Sequence, residues 1–314
     1  MKTSYFLSLS VLLFLLSCNS VSNNKIKKVS PVVKSKIDNK SIISHIDSSD
    51  ALAEYRKFVS SLDTLDVSNS LKAANKYQQL LFKENSVSKE RAFLTYYEFY
   101  EALERNLIHR HDEDTTNYEI LFFNQDSTGK KLPEPSRLVN YKKHLLQNGF
   151  QLTFSIDGNV SIERSLDFII KWFYPFVSEE MREYIKQLNK ENKEGFVDDG
   201  GIVIDPKQYI DRIIKWEKFA SKFPTFIFID RIVEEQHMLL TYLLEGIDNT
   251  PLMDEDNKMI SEYYSTAYNY LQKTFPNSKT NDLVHPYYIA VLQKNKIMQA
   301  NLLDNYRKKG IIDF

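Results

Sequence analysis

Apolar residues recur along most of this chain at intervals of three and four, the spacing of amphipathic helices. Leu52, Tyr55, Val59 and Leu62 predict a helix over 51–62, and Leu71, Ala74, Tyr77 and Leu81 a second over 71–82. Phe93, Tyr96, Tyr97, Tyr100, Leu103 and Leu107 form the stripe of a longer helix over 90–108. A charged run, Gly129, Pro133 and Pro135 then interrupt the pattern, and within that break 118–123 reads as one helical turn or a short strand. A helix over 138–146 follows, stopped by Asn148-Gly149.

The period then changes to two. Residues 150–156 alternate, Asp157-Gly158 suits the positive φ values of a type I′ turn, and 159–163 alternate again, which predicts a β-hairpin. A lone hairpin is marginal, so it should pack on helices or on a further strand, for which 196–204 is the candidate, with a loop as its other reading. Helical spacing resumes over 166–174 before Pro175, and over 179–194 between Ser178 and Gly195. Asp205-Pro206 opens another helix that runs to Phe223-Pro224. Further helices are expected over 226–244, over 258–274, and from Pro286 to Lys309.

Phe223-Pro224 recurs as Phe275-Pro276, 52 residues on, each time between apolar helices. Helix, Phe-Pro corner and helix resembles the hairpins of tetratricopeptide-like proteins over 206–309, although that family repeats every 34 residues or so. The expected fold is mainly α, a helical-hairpin or solenoid-like bundle over 51–314 with one small β-hairpin or short sheet near 150–204. Residues 51–149 and 150–314 are candidate subdomains.

Composition narrows the classes. The 8 Gly and 9 Pro are too few for a turn-rich β-sandwich or a Gly-loop nucleotide enzyme, while 42% hydrophobic residues suffice for a core. A net charge of −1 excludes a generally basic nucleic-acid binder.

The N-terminus has its own logic. Lys2 precedes an apolar stretch over 5–16, broken only by Ser8 and Ser10, which is too short to span a membrane but right for a signal peptide. It ends in Leu15-Leu16-Ser17-Cys18, and Cys18 is the only cysteine. This segment resembles the lipobox of bacterial lipoproteins, with Leu16 where Ala, Ser or Thr is more usual. The resemblance implies that 1–17 are removed as a signal peptide. It also implies that Cys18 is acylated and anchors the chain stably through two or three acyl chains. Asn19, where an Asp would resemble an inner-membrane retention signal, points to the outer membrane and its periplasmic face.

Residues 19–50 hold six Lys (25, 27, 28, 34, 36, 40) and three Asp (38, 47, 50) and show no apolar period. They read as a flexible, solvated tether, with weak attraction to anionic lipid or peptidoglycan as the functional alternative. Without Lys2 and the tether, acidic residues outnumber basic ones by five.

Candidate chemistry is sparse. His109-Arg110-His111-Asp112-Glu113-Asp114 concentrates metal-capable side chains, but after a helix end it reads better as a solvated loop. Glu234 and His237 form an E-x-x-H whose nearest counterpart, Asp282 to His285, is incomplete for a di-iron site. Asp198-Asp199-Gly200-Gly201 is a polar turn or, less readily, a cation or carboxylate-pair site. Asp254-Glu255-Asp256-Asn257 reads as an acidic helix start. Trp172 and Trp216 have the faces to stack on sugars, yet both lie on apolar helical stripes that suit core packing. His45 and His144 have no companions in sequence.

None of the common nucleotide, hydrolase or zinc-protease motifs is found, so no catalytic, metal or cofactor-binding residue is assigned and no cofactor is expected. The reading is a membrane-anchored envelope lipoprotein whose helical body binds an envelope protein or peptide and no nucleic acid. Its alternative is a glycan- or metal-handling protein, with hydrolysis as one form of that handling.

Overall fold

Eleven α-helices and three two-stranded antiparallel sheets make up the regular structure of the described residues, with one 3-10 turn at Glu119–Leu121. The computed structural model describes residues 50–125, 128–154, 159–254, 256 and 258–313. The signal segment, Cys18, the tether and His45 lie outside them. The mainly α expectation holds.

Helices α1 (Asp50–Ser60), α2 (Ser68–Leu81) and α3 (Ser86–Asp112) pack on one another through the predicted stripes. Asn85 caps α3, its side chain accepting from the Ser88 amide at 2.9 Å. Helix α4 (Ser136–Gln147) leads through Asn148-Gly149 into the predicted hairpin, β1 (Phe150–Phe154) and β2 (Val160–Arg164). The strands pair from Phe150↔Arg164 to Phe154↔Val160. The Asp157-Gly158 turn lies outside the described residues. The hairpin packs β1 on α4 and β2 on α3.

Helix α5 (Leu166–Phe173) packs on α2 and on α6 (Glu179–Glu194), which Ser178 caps through the Met181 amide. Residues 196–204 are neither a loop nor a third strand of the first sheet. They form a hairpin of their own, β3 (Val197–Asp198) and β4 (Gly201–Ile202), because Asp199 and Gly200 both take positive φ and turn the chain at once. A third hairpin, β5 (Gly246–Ile247) and β6 (Thr250–Pro251), was not predicted.

Helix α7 (Pro206–Lys222) is the hub of the C-terminal part, in contact with α8 (Ile229–Glu245), α9 (Glu262–Thr274) and α10 (Lys279–Leu292). Asp205 caps it through the Lys207 amide at 2.8 Å. The two Phe-Pro corners are alike in backbone. Phe223 ends α7 at φ −128°, ψ 63°, and Phe275 ends α9 at φ −131°, ψ 50°. Each is held out of the helical region by the proline that follows.

The final helix predicted from Pro286 is two helices. Ser278 caps α10 through the Asn281 amide, eight residues before Pro286, and Pro286 lies inside the helix. Lys294 then takes φ 54°, and Asn295 caps α11 (Lys296–Lys308) through the Met298 amide. The Lys294 break has no Gly or Pro to announce it.

Candidate functional site

Helix α2, the end of α4 with Asn148, and the first turns of α5 wall an open cleft of about 790 Å³. Its shape follows from α5, which carries two apolar rows. Leu166, Ile169 and Phe173 are buried in the core. Phe168 and Trp172, one turn apart, make a second row, with ring centroids 5.9 Å apart. Phe168 is buried, whereas Trp172 is half-buried at the cleft wall.

The Gln78 amide on α2 donates to the Trp172 backbone carbonyl at 3.0 Å and ties α5 to α2. The indole N–H of Trp172 has no acceptor among the described residues, and Lys171 Nζ sits 5.5 Å from its ring centroid. Lys171 has no carboxylate partner among the described residues. Across the cleft, Lys72 Nζ donates to Asn69 Oδ1 at 2.8 Å and lies 3.5 Å from Asp66. Asp167, the one carboxylate in the wall, is already paired with Lys193 at 2.8 Å. That bond, with a second from Asn189, holds its carboxyl below the usual range against a little burial. The cleft is therefore a positive spot on an acidic body. Asn75, Gln147, Asn148 and Ser165 add amides and a hydroxyl. An aromatic face beside a few convergent polar groups is the ordinary make-up of a ligand site.

Of the residues singled out in the sequence, His144 and Trp172 meet in this cleft. His144 Nδ1 is 3.5 Å from the Asn148 amide nitrogen. Trp216 is core, 1% exposed, and its indole N–H donates to Glu191 Oε2 at 3.2 Å. The two tryptophans thus part company.

The 109–114 cluster is not a loop. Helix α3 continues to Asp112, which sends His109 and His111 to different sides. His109 pairs with Glu113 at 3.6 Å one turn on, while His111 Nε2 meets the Val160 carbonyl at 2.8 Å. Asp114 binds Thr116 and Tyr118, and these hydrogen bonds pull its carboxyl down to about 2. Asp198-Asp199 serve the β3–β4 turn, docked on the third hairpin by the Asn249 amide, which donates to the Gly200 carbonyl at 2.9 Å. Glu234 is exposed, and the His237 carbonyl accepts from Thr241 at 2.8 Å. His285 Nδ1 is buried without a partner among the described residues. No three His, Cys, Asp or Glu side chains among the described residues are placed to hold a metal ion. Residues Asp254 and Asp256 precede α9 by several positions, and the helix starts at Glu262 because Met253 and Ile260 first form a β-bridge.

Two charged networks escaped the sequence reading, because no local pattern marks partners so far apart. Arg164 is within 3.3 Å of Glu101 and 2.8 Å of Glu104, and both Arg164 and Arg231 stack on Tyr97 at 5.1 and 5.2 Å. Burial pushes Glu104 up despite Arg164. Burial also works against the Glu101 carboxylate, but Arg231 and Arg164 hold it below its usual range.

In the second network, Glu191 on α6 accepts from Gln187 and Trp216 and lies 3.8 Å from Arg212, which is bound to Glu194 and the Gly195 carbonyl. Burial raises Glu191 to about 7, with Glu235 adding to the rise and Gln187 and Arg212 opposing it. Burial raises Glu235 too.

Comparison of the chain with family models, with curated proteins and with solved structures finds no match. No helix among the described residues is long and apolar enough to cross a membrane.

Proposed function

We propose that this chain is a lipid-anchored protein of the bacterial cell envelope whose helical body is a binding module, with the Trp172 cleft as its ligand site. The anchor rests on one observation, that the sole cysteine stands at the end of a lipobox-like segment. The binding role rests on the cleft, where an aromatic face and unpaired donors are presented to solvent. An enzyme is the weaker reading. Asp198 and Asp199, the candidate carboxylate pair, lie in a turn that ties two hairpins together.

The anchor is tested by labelling cells with radioactive palmitate. The wild-type chain should take up label and sediment with outer membranes, and Cys18→Ala should do neither. Label in the Cys18→Ala chain, or an unlabelled wild type, would overturn the anchor.

A further inference from the structure

The ligand class of this cleft follows from its wall. We infer that it holds a sugar ring bearing a carboxylate; this rests on the binding-module reading above and goes beyond it to the ligand.

Three features converge. Trp172 offers a half-exposed aromatic ring, its backbone carbonyl held by Gln78 and its ring in tilted contact with Phe168 at 5.9 Å. With only two χ angles, a tryptophan is a low-entropy platform for the apolar face of a pyranose. Second, polar groups of the kind that match sugar hydroxyls surround it. The side-chain amides of Asn75, Gln147 and Asn148 and the hydroxyl of Ser165 line the same cleft, Asn75 and Asn148 each already donating once to a helix carbonyl, and the indole N–H of Trp172 has no acceptor among the described residues. Third, the charge is specific. Lys171 Nζ lies over the indole ring, 5.5 Å from its centroid, with no carboxylate partner among the described residues, while Lys72, across the cleft on α2, is 3.5 Å from Asp66. Asp167, the only carboxylate lining the cleft among the described residues, is held by Lys193. A neutral sugar would leave the Lys171 charge unmatched, whereas a carboxylate on the ring satisfies it with a charge-assisted hydrogen bond. The positive spot is also local, since the body as a whole is acidic.

Two envelope glycans carry this chemistry. Peptidoglycan strands stripped of their stem peptides carry a free lactyl carboxylate on every second ring, and acidic polysaccharides have uronate carboxylates. The protein supplies its own reporter, because it has two tryptophans and one of them is 1% exposed. Full-length protein in detergent micelles, labelled with 5-fluorotryptophan, gives one fluorine resonance for each, and Trp172→Phe assigns them. The probes are the N-acetylglucosamine–N-acetylmuramic acid disaccharide, digalacturonic acid and neutral diacetylchitobiose.

The Trp172 resonance should move and that of Trp216 should stay. At least one acidic sugar should bind about tenfold more tightly than chitobiose, and Lys171→Gln should erase that tenfold preference. Lys171 is exposed, so its loss leaves the fold intact. The tighter acidic probe names the source. Equal affinity for chitobiose would overturn the carboxylate inference and leave the anchored binding module standing. A Trp172 resonance that none of the three sugars moves would overturn the sugar itself. Palmitate uptake is independent of either result.

Discussion

Arg231 grips Glu101 from 130 residues away, with Nη2 to Oε2 at 2.9 Å and Nη1 to Oε1 at 2.5 Å. The paired geometry is the strong form of this contact. It joins α8 to α3, and Glu101 also receives Arg164 from the end of β2. Three elements therefore meet on one carboxylate, with Tyr97 stacked against both guanidinium groups. Much of the hydrophobic core could be repacked by similar side chains. This arrangement specifies which face of α3 meets α8 and the hairpin, because each of its charges is costly to leave unpaired.

Arg164 is the member whose loss should cost most. Arg164→Met keeps the stem's packing but leaves Glu104 and part of Glu101 without a cation in a largely buried place. A loss of about 3 kcal/mol is expected in urea unfolding. Adding Glu104→Gln should recover at least about 1 kcal/mol of it. If the double variant is no more stable than Arg164→Met alone, the cost lies in packing and not in the orphaned carboxylate.

Gly149 makes a sharper steric prediction. It takes φ +91°, and a Cβ there would come within 2.8 Å of the Tyr100 hydroxyl and 2.9 Å of the Phe168 ring. Its carbonyl also accepts from Tyr100 and from the Ser165 amide. Gly149→Ala should therefore destabilise by about 3 kcal/mol, through backbone strain and displacement of Phe168. Because Phe168 supports Trp172, the variant should also red-shift or broaden tryptophan emission at temperatures where it is still folded. A melting temperature within a degree or two of wild type would refute the steric argument.

The contrast between Trp172 and Trp216 shows what was legible in the sequence. Helices and their caps were readable because their causes are local. Ser178, Asp205, Gly195 and Gly246 act within a few residues of themselves, and the predicted ends lie near the observed ones. The first hairpin was readable for the same reason. Both tryptophans sit on apolar stripes, and the stripe alone cannot say which stays at the rim. That depends on α2 and α4 stopping short of covering α5, a long-range property. Trp172 belongs to a second row, flanked by Asp167 and Lys171, and this flank was the only sequence trace of the cleft. The break at Lys294 was missed because its left-handed turn is made by a lysine. His109 and His111 were misplaced because the charged run that closes α3 resembles loop sequence.

Glu217 tests the coupling between the two Phe-Pro hairpins. From α7 it accepts from the Lys279 amide at 3.0 Å, the Thr280 amide at 2.9 Å and the Thr280 hydroxyl at 2.7 Å. A carboxylate on a neighbouring helix thus satisfies the orphan amides that begin α10. Glu217→Ala should cost about 1–2 kcal/mol. It should also speed hydrogen exchange at the Lys279 and Thr280 amides while leaving the centre of α7 protected. Unchanged exchange at those two amides would mean that Ser278 alone holds the end of α10.

Glu191 gives the pH prediction, and its sign is set by burial. Its folded value of about 7 lies above the ordinary 4.5, so the folded chain keeps a proton there that the unfolded chain releases. The stabilisation is complete below about pH 4.5 and is lost as pH rises through 7, with an upper bound of about 3 kcal/mol. Glu235 is raised by the same burial and adds to the same trend, while Arg212, Gln187 and Trp216 face Glu191 and limit it. Unfolding free energy should therefore fall between pH 5 and pH 7.5 or so, and Glu191→Gln should flatten much of that slope. Trp216 offers a direct view, because its indole donates to Glu191. Native-state emission should titrate with a midpoint near 7 in wild type and in Trp172→Phe, and lose that step in Glu191→Gln. A step that survives Glu191→Gln would assign the transition to another group and remove Glu191 as its cause.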